Sequence, residues 1–402
     1  MENSISTLLE ELDTELKGSI LPFWMSRMVD KENAGFYGRI DGRDRLYPDA
    51  DKGGVLNARI LWTFSAAYNY YGNKDYLDIA VRAFDYCMNY FINEDCDGVY
   101  WLLDYKGKPV DTKNQIYALG FMIYGMSEYF ISTNDEKALN MAIRLFHSIE
   151  KFSYDPDLEG YYEAFDQNWE LLEDMRLSDK DANEKKTMNT HLHILEGYTN
   201  LYRIWKDDRL RTQLRKLIEV FYDHIIDHQS FHFKLFFDEK WQERDHEISF
   251  GHDIEGSWLI QEACEVLGDT DLIKKSKEIA IRMVNEVIKN GFDEDGGLFY
   301  EAYDQYNLKD DDKHWWPHAE AIVGLINVFQ ITSDKEYLKH AIKVWNFTKD
   351  KIIDKEGGEW YFKISRQGDP YFDEDKAGFW KCPYHNSRAC LEVIRRLNNN
   401  VL

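Results

Sequence analysis

The chain has 402 residues, 15% of them aromatic, and a formal net charge of -24. That length admits one large domain or two to three ordinary ones. The charge argues against nucleic acid or an anionic membrane as partner, since either would repel the protein.

At the N-terminus, MENSISTLLEELDTELKGSILPFW carries acidic residues where a signal peptide needs basic ones, and no later run approaches the ~18 apolar residues of a membrane span. The five cysteines, Cys87, Cys96, Cys264, Cys382 and Cys390, are odd in number, scattered and without a C-x-x-C pair. They suggest neither a disulfide framework nor a zinc site. The expectation is a soluble, reducing, cytoplasmic setting.

Apolar residues recur at three- and four-residue steps from Ile5 to Leu16, predicting a first helix. Further helices are predicted from Val55 to Tyr71, Tyr76 to Phe91, Asn114 to Phe130, Glu136 to Phe152 and Met188 to Trp205. The series continues with Leu210 to His228, His252 to Leu267, Asp271 to Lys289, Trp316 to Gln330, Lys335 to Lys351 and Pro383 to Leu397. Polar turns such as Gly72-Asn73-Lys74-Asp75 and Gly268-Asp269-Thr270-Asp271 join neighbours and supply N-caps. Between helices, glycine followed by aromatics recurs at Gly35, Gly98, Gly160, Gly297 and Gly358, roughly 60 to 70 residues apart, with a glycine-less cousin at Phe231-His232-Phe233. Such a period signals repeats, and the aromatic segments read as small strands or hairpins.

Twelve helices in six hairpins, with no proline-rich break, predict an all-α (α/α)6 barrel with short β-hairpins in its loops, one catalytic domain over residues 1–402. An open solenoid of the same hairpins is the competing architecture. The second helix of each pair, LNARILWTFSAAY for example, is apolar nearly all round and so is the inner one.

Polar residues inside such helices need a reason. Arg59, Tyr117, Asn189 with His193, His252 with Glu255, Glu320 after Trp315-Trp316, and His385 with Arg388 lie near the inner N-termini. Around a ring they converge at one mouth, which marks a candidate active site. In SFGHDIEGSW, Asp253 suits a helix start. His252 and Glu255 share a face there and place an imidazole beside a carboxylate. Arg59, among apolar neighbours, is expected to face a carboxylate or a polar cavity. Asn189 and His193 share a face, whereas His191 points elsewhere. In WKCPYHNSRAC, Pro383 starts a helix with His385 in its first turn, and Trp380 is placed to stack on a sugar. Two histidines at equivalent mouths suit an acid/base pair. Paired carboxylates for glycoside hydrolysis stay open. No H-E-x-x-H cluster, nucleophile elbow or phosphate-binding glycine loop occurs, so no metal is expected.

GFYGRI at 35–40, LNARILWTFSAAY at 56–68, KTMNTHLHILEGYTNLY at 186–202, GHDIEGSWL at 251–259, WWPHAEAIVG at 315–324, GGEWY at 357–361 and WKCPYHN at 380–386 together resemble the N-acylglucosamine 2-epimerase superfamily, and within it the bacterial cellobiose 2-epimerases. The resemblance spans essentially the whole chain. It implies an (α/α)6 barrel and cofactor-free inversion of C2 in the reducing-end glucose of cellobiose, with lactose as second substrate. It implies that His252 and His385 are the general acid/base pair, with His193 and Arg59 orienting the opened sugar and stabilising charge. Tyr117, Asn189, Glu255, Trp316, Glu320 and Trp380 become substrate contacts. His318 departs from the pattern, where WWPQAE is expected. N-acylglucosamine 2-epimerisation or mannose isomerisation is the alternative, and an (α/α)6 glycoside hydrolase a remoter one. The expected partner is a small disaccharide, and the expected state a monomer.

Overall fold

The computed structural model describes residues 2–303 and 306–398. Its first helical rod is long: α1 (Glu2–Glu15) runs through a π turn at Leu16–Ile20 into α2 (Leu21–Arg27). The rest alternate as α3 (Gly54–Tyr71), α4 (Lys74–Tyr86), α5 (Ile116–Thr133), α6 (Glu136–Ser148), α7 (Met188–Ile204) and α8 (Asp208–Val220). They end with α9 (Phe250–Leu267), α10 (Thr270–Asn290), α11 (Trp315–Thr332), α12 (Lys335–Phe347) and α13 (Tyr384–Asn398). The rods number twelve among the described residues. Each after the first starts within two residues of its predicted span, and α4, α6, α8 and α12 end on π turns that carry them to Phe91, Ser153, Ile225 and Ile352, while the first runs on through α2.

α3, α5, α7, α9, α11 and α13 are buried along most of their length, whereas α4 buries one stripe through Tyr76, Ala80, Ala83 and Phe84. Each inner helix packs on the next, and α13 packs on both α11 and α3. The ring is therefore a closed (α/α)6 barrel, and the open solenoid is excluded. Small residues permit close approach: a Cβ on Gly197 of α7 would lie 2.6 Å from the Gly120 carbonyl oxygen of α5.

The inner helices are the second, fourth and later even rods, as read. The pairing needs correcting, however. The short turns join each inner helix to the outer one that follows it, so the inner helix comes first in every tight hairpin. Gly72 ends α3 in the left-handed region at φ 67°, and Asn73 then accepts the Asp75 N–H. Asn134 and Ser333 take the same left-handed place at φ 55° and 60° without a glycine.

All six aromatic marks are small hairpins. Phe36, Val99, Tyr161, Phe233, Leu298 and Trp360 pair antiparallel with Val29, Ile92, Tyr154, Ile226, Phe292 and Ile353. Several hairpins are pinned by a buried lysine that precedes an inner helix. Lys52 reaches Asp30 at 2.8 Å, Lys186 reaches Asp155 at 2.9 Å, and Lys313 reaches Asp293 at 3.1 Å. Removing one member of a buried pair strands the other charge. Lys52→Met is expected to lower unfolding free energy by about 3–5 kcal/mol, read as the urea midpoint. An unchanged midpoint would refute the pinning role.

A strand at Asp375–Ala377 pairs with Arg39–Asp41 and ties the last loop to the first. Among the described residues no helix is long and apolar enough to cross a membrane.

Candidate active site

Because inner and outer helices alternate, all six inner helices run the same way and their N-termini meet at one mouth. There Arg59, Tyr117, Asn189, His193, His252, Glu255, Trp316, Trp380 and His385 line a single cavity of about 460 Å³. A second space of about 560 Å³ adjoins it across Asn189, His252 and Tyr300.

Four histidines line the cavity, His193, His252, His314 and His385, and two of them hydrogen-bond carboxylates. His193 Nδ1 lies 3.0 Å from Glu196 Oε2, and His385 Nδ1 lies 2.7 Å from Glu320 Oε1. An ionised carboxylate only accepts, so each ring keeps its proton on Nδ1 and leaves Nε2 for the cavity. His252 Nδ1 instead meets Ser249 Oγ at 2.8 Å. Both His252 and His385 pack on the Trp316 indole, with ring centroids 4.7 and 5.5 Å away. Burial and the neighbouring His193 hold His252 down at about 3. Burial, with Arg59 and Arg388 nearby, holds His193 and His385 well below the usual imidazole range. His193, His252 and His385 are therefore neutral at pH 7, the form that removes a proton.

Arg59 donates from Nη2 to Tyr117 Oη at 2.8 Å and lies 4.1 Å above the Phe121 ring. No carboxylate is within ion-pairing distance among the described residues, so its charge faces the cavity. Asn189 Oδ1 is buried without a hydrogen-bond partner among the described residues. Trp380 stands 5.9 Å from the Tyr117 ring and 5.9 Å from Trp101, an aromatic wall suited to a sugar face.

Beneath the histidines lies a floor built on Arg388, which is 1% exposed. Its Nη1 donates to Glu196 and Tyr384, and its Nη2 donates to Glu255 and to Glu320 at 2.7 Å. Glu320 also accepts the Trp258 indole N–H at 3.1 Å. Burial and Glu320 push the Glu255 carboxyl well above its usual range, with Arg388 pulling the other way. Glu255, Glu320 and His385 bring three potential metal donors together. The guanidinium already holds both carboxylates, so this donor set is satisfied by a cation of the chain itself.

Several expectations change. Glu320, expected as a substrate contact, is not among the residues lining the cavity; its carboxylate goes to His385, Arg388 and Trp258. Glu255 lines the cavity, yet its bonds go to Arg388 and not to its helix neighbour His252, so the expected His252–Glu255 pair does not form. Asp253 turns from the helix start to accept the Phe233 N–H and meet His232 Nδ1, each at 2.7 Å. Glu196, Ser249 and Tyr384 were not anticipated. A glutamate inside an apolar helix three residues from His193 was the available signal for the first.

His191 and His318 occupy equivalent structural places. His191 Nδ1 meets Thr187 O at 2.6 Å and its Nε2 accepts the Tyr161 N–H at 2.9 Å. His318 Nδ1 meets His314 O at 2.6 Å and its Nε2 accepts the Leu298 N–H at 2.9 Å. The departure at His318 thus touches a hairpin and leaves the cavity intact. Burial lowers His318 to about 4 from 6.5. The unfolded chain binds that proton more readily, so the stability contributed is complete above 6.5 and lost as pH falls toward 4. Glutamine can make both hydrogen bonds without titrating. His318→Gln is expected to lose less stability than wild type on acidification through that window, and a pH-independent difference in unfolding midpoints would contradict this.

The N-acylglucosamine 2-epimerase (GlcNAc 2-epimerase) family model matches residues 35–389. A cellobiose 2-epimerase of Bacteroides fragilis is 50% identical over 387 residues, covering 96% of this chain and 98% of that protein. One from Ruminococcus albus is 40% identical, covering 97% and 99%. The solved cellobiose 2-epimerase of Bacillus thermoamylovorans superposes with a TM-score of 0.93 at 39% identity, over 97% of this chain and 100% of that one.

Proposed function

The chain belongs to the N-acylglucosamine 2-epimerase family and is an isomerase, and on that premise we propose that it inverts C2 of the reducing-end glucose of cellobiose, giving glucosyl-mannose, with lactose as a second substrate. The observation that carries the reading is the pair of neutral imidazoles, His252 and His385, held on Trp316 in one cavity with Arg59, which has no carboxylate within ion-pairing distance among the described residues. The identity to proteins named for cellobiose supports the disaccharide.

The closed hemiacetal has no acidic C2 proton, so an acid and a base must first open the ring. In the open aldehyde the C2–H lies beside a carbonyl. An imidazole Nε2 takes that proton and becomes imidazolium, while charge builds on O1, where Arg59 with Tyr117, or His193, stabilises it. The cis-enediolate is planar at C2. The other imidazole becomes imidazolium when its Nε2 takes the O1 hydroxyl proton in the ring opening, with solvent protonating O5; returning that proton to the opposite face of C2 completes the inversion. Glu320 behind His385 stabilises the imidazolium formed there. Asn189, Glu255, Trp316 and Trp380 hold the sugar.

Purified protein incubated with cellobiose is expected to yield glucosyl-mannose and no free glucose. Turnover of mannose or N-acetylmannosamine, with none of cellobiose, would transfer the assignment to a monosaccharide. Released glucose would mean hydrolysis.

A further inference from the structure

A serine at a helix start ordinarily offers its oxygen to the first-turn N–H groups. Thr187 does so before α7, accepting the Thr190 N–H at 3.2 Å. Ser249 holds the matching place before α9 and makes no such cap. Its Oγ goes to His252 Nδ1 instead. The residue is 2% exposed and its backbone is fixed in strand pairing opposite Glu301. It also borders the second cavity, so the hydroxyl proton can turn either to the ring or to that space.

The backing groups of the two acid/base candidates therefore differ in kind. Glu320 behind His385 can only accept and stabilises a positive ring. A hydroxyl donates as well as accepts and carries no charge. Among the described residues no carboxylate is within ion-pairing distance of His252. The titratable group that acts on it is His193, itself neutral.

We propose that Ser249 is a positioning residue that keeps His252 the weaker base of the pair and free to take either tautomer. Its imidazolium, formed when Nε2 takes the O1 hydroxyl proton in the ring opening, gives that proton to C2 readily: the enediolate electron pair forms the C–H bond, and the ring is left neutral with Nδ1–H donating to Ser249 Oγ. The Glu320 carboxylate 2.7 Å behind it makes His385 hold its proton more firmly, outweighing the nearby charges of Arg59 and Arg388. The enediolate is then reprotonated faster on the His252 face than on the His385 face. The inference rests on the epimerase reading.

The test compares Ser249→Ala, Ser249→Thr and Ser249→Asp in D2O. Ser249→Ala is expected to lower kcat about tenfold, the size of one neutral hydrogen bond, with KM unchanged, and Ser249→Thr to restore it. Ser249→Asp puts a carboxylate behind His252. The ratio of C2 deuterium in recovered substrate to that in product is expected to rise starting from one epimer and fall starting from the other. General damage to the site would not shift the two ratios in opposite directions. Equal or unchanged ratios from both epimers, or Ser249→Ala at wild-type kcat, would overturn the inference. Wild type that places no deuterium at C2 would instead overturn the epimerase reading.

Discussion

His385→Ala is expected to abolish measurable epimerisation, with a loss of at least 10²–10⁴-fold, the usual contribution of a positioned general acid/base. His252→Ala is expected to do the same. His385 is the stronger case because its ring is held from both sides: Glu320 fixes Nδ1 at 2.7 Å and Trp316 packs on its face. Its removal also leaves Glu320 with Arg388 and Trp258 as partners, so the floor survives. Circular dichroism is expected to match wild type, separating lost chemistry from lost fold. Near-wild-type turnover by either alanine variant would refute the paired-imidazole mechanism.

Arg388→Met is expected to be the most destabilising single change at the site. The guanidinium is the shared donor to Glu196, Glu255 and Glu320, all at most 3% exposed. Without it three carboxylates confront one another in a dry floor, and breaking a buried pair costs about 3–5 kcal/mol. Burial has already raised Glu196, Glu255 and Glu320 above their usual range. With the cation gone they rise further and bind protons more readily folded than unfolded. Stability of the variant is then best at low pH and is lost as pH rises through the raised folded values. Urea midpoints across pH measure this. A midpoint equal to wild type, or a deficit that shrinks at high pH, would contradict the account.

The helices were legible because burial follows a 3.6-residue rhythm, and α3, α5 and α11 carry so few polar residues that any one of them stands out. The mouth was legible for the same reason, and Arg59, His193, His252 and His385 do line one cavity. Spacing along one helix reports only that helix's own neighbours. It paired His252 with Glu255, whereas the closed ring brings Glu255 to Arg388 of α13, and His252 turns instead to Ser249, three residues before it at the same helix start. Glu196 and Arg388 sit on α7 and α13, 192 residues apart in sequence, and only ring closure joins them. The lysine pins were missed because Lys52, Lys186 and Lys313 lie in two-residue strands too short to show a pattern.

The most direct measurement is proton NMR of cellobiose incubated in D2O with EDTA-treated protein. The account predicts glucosyl-mannose carrying deuterium at C2 and no free glucose. Glucosyl-mannose that keeps its C2 protium would show inversion without exchange with solvent-linked histidines and would contradict it.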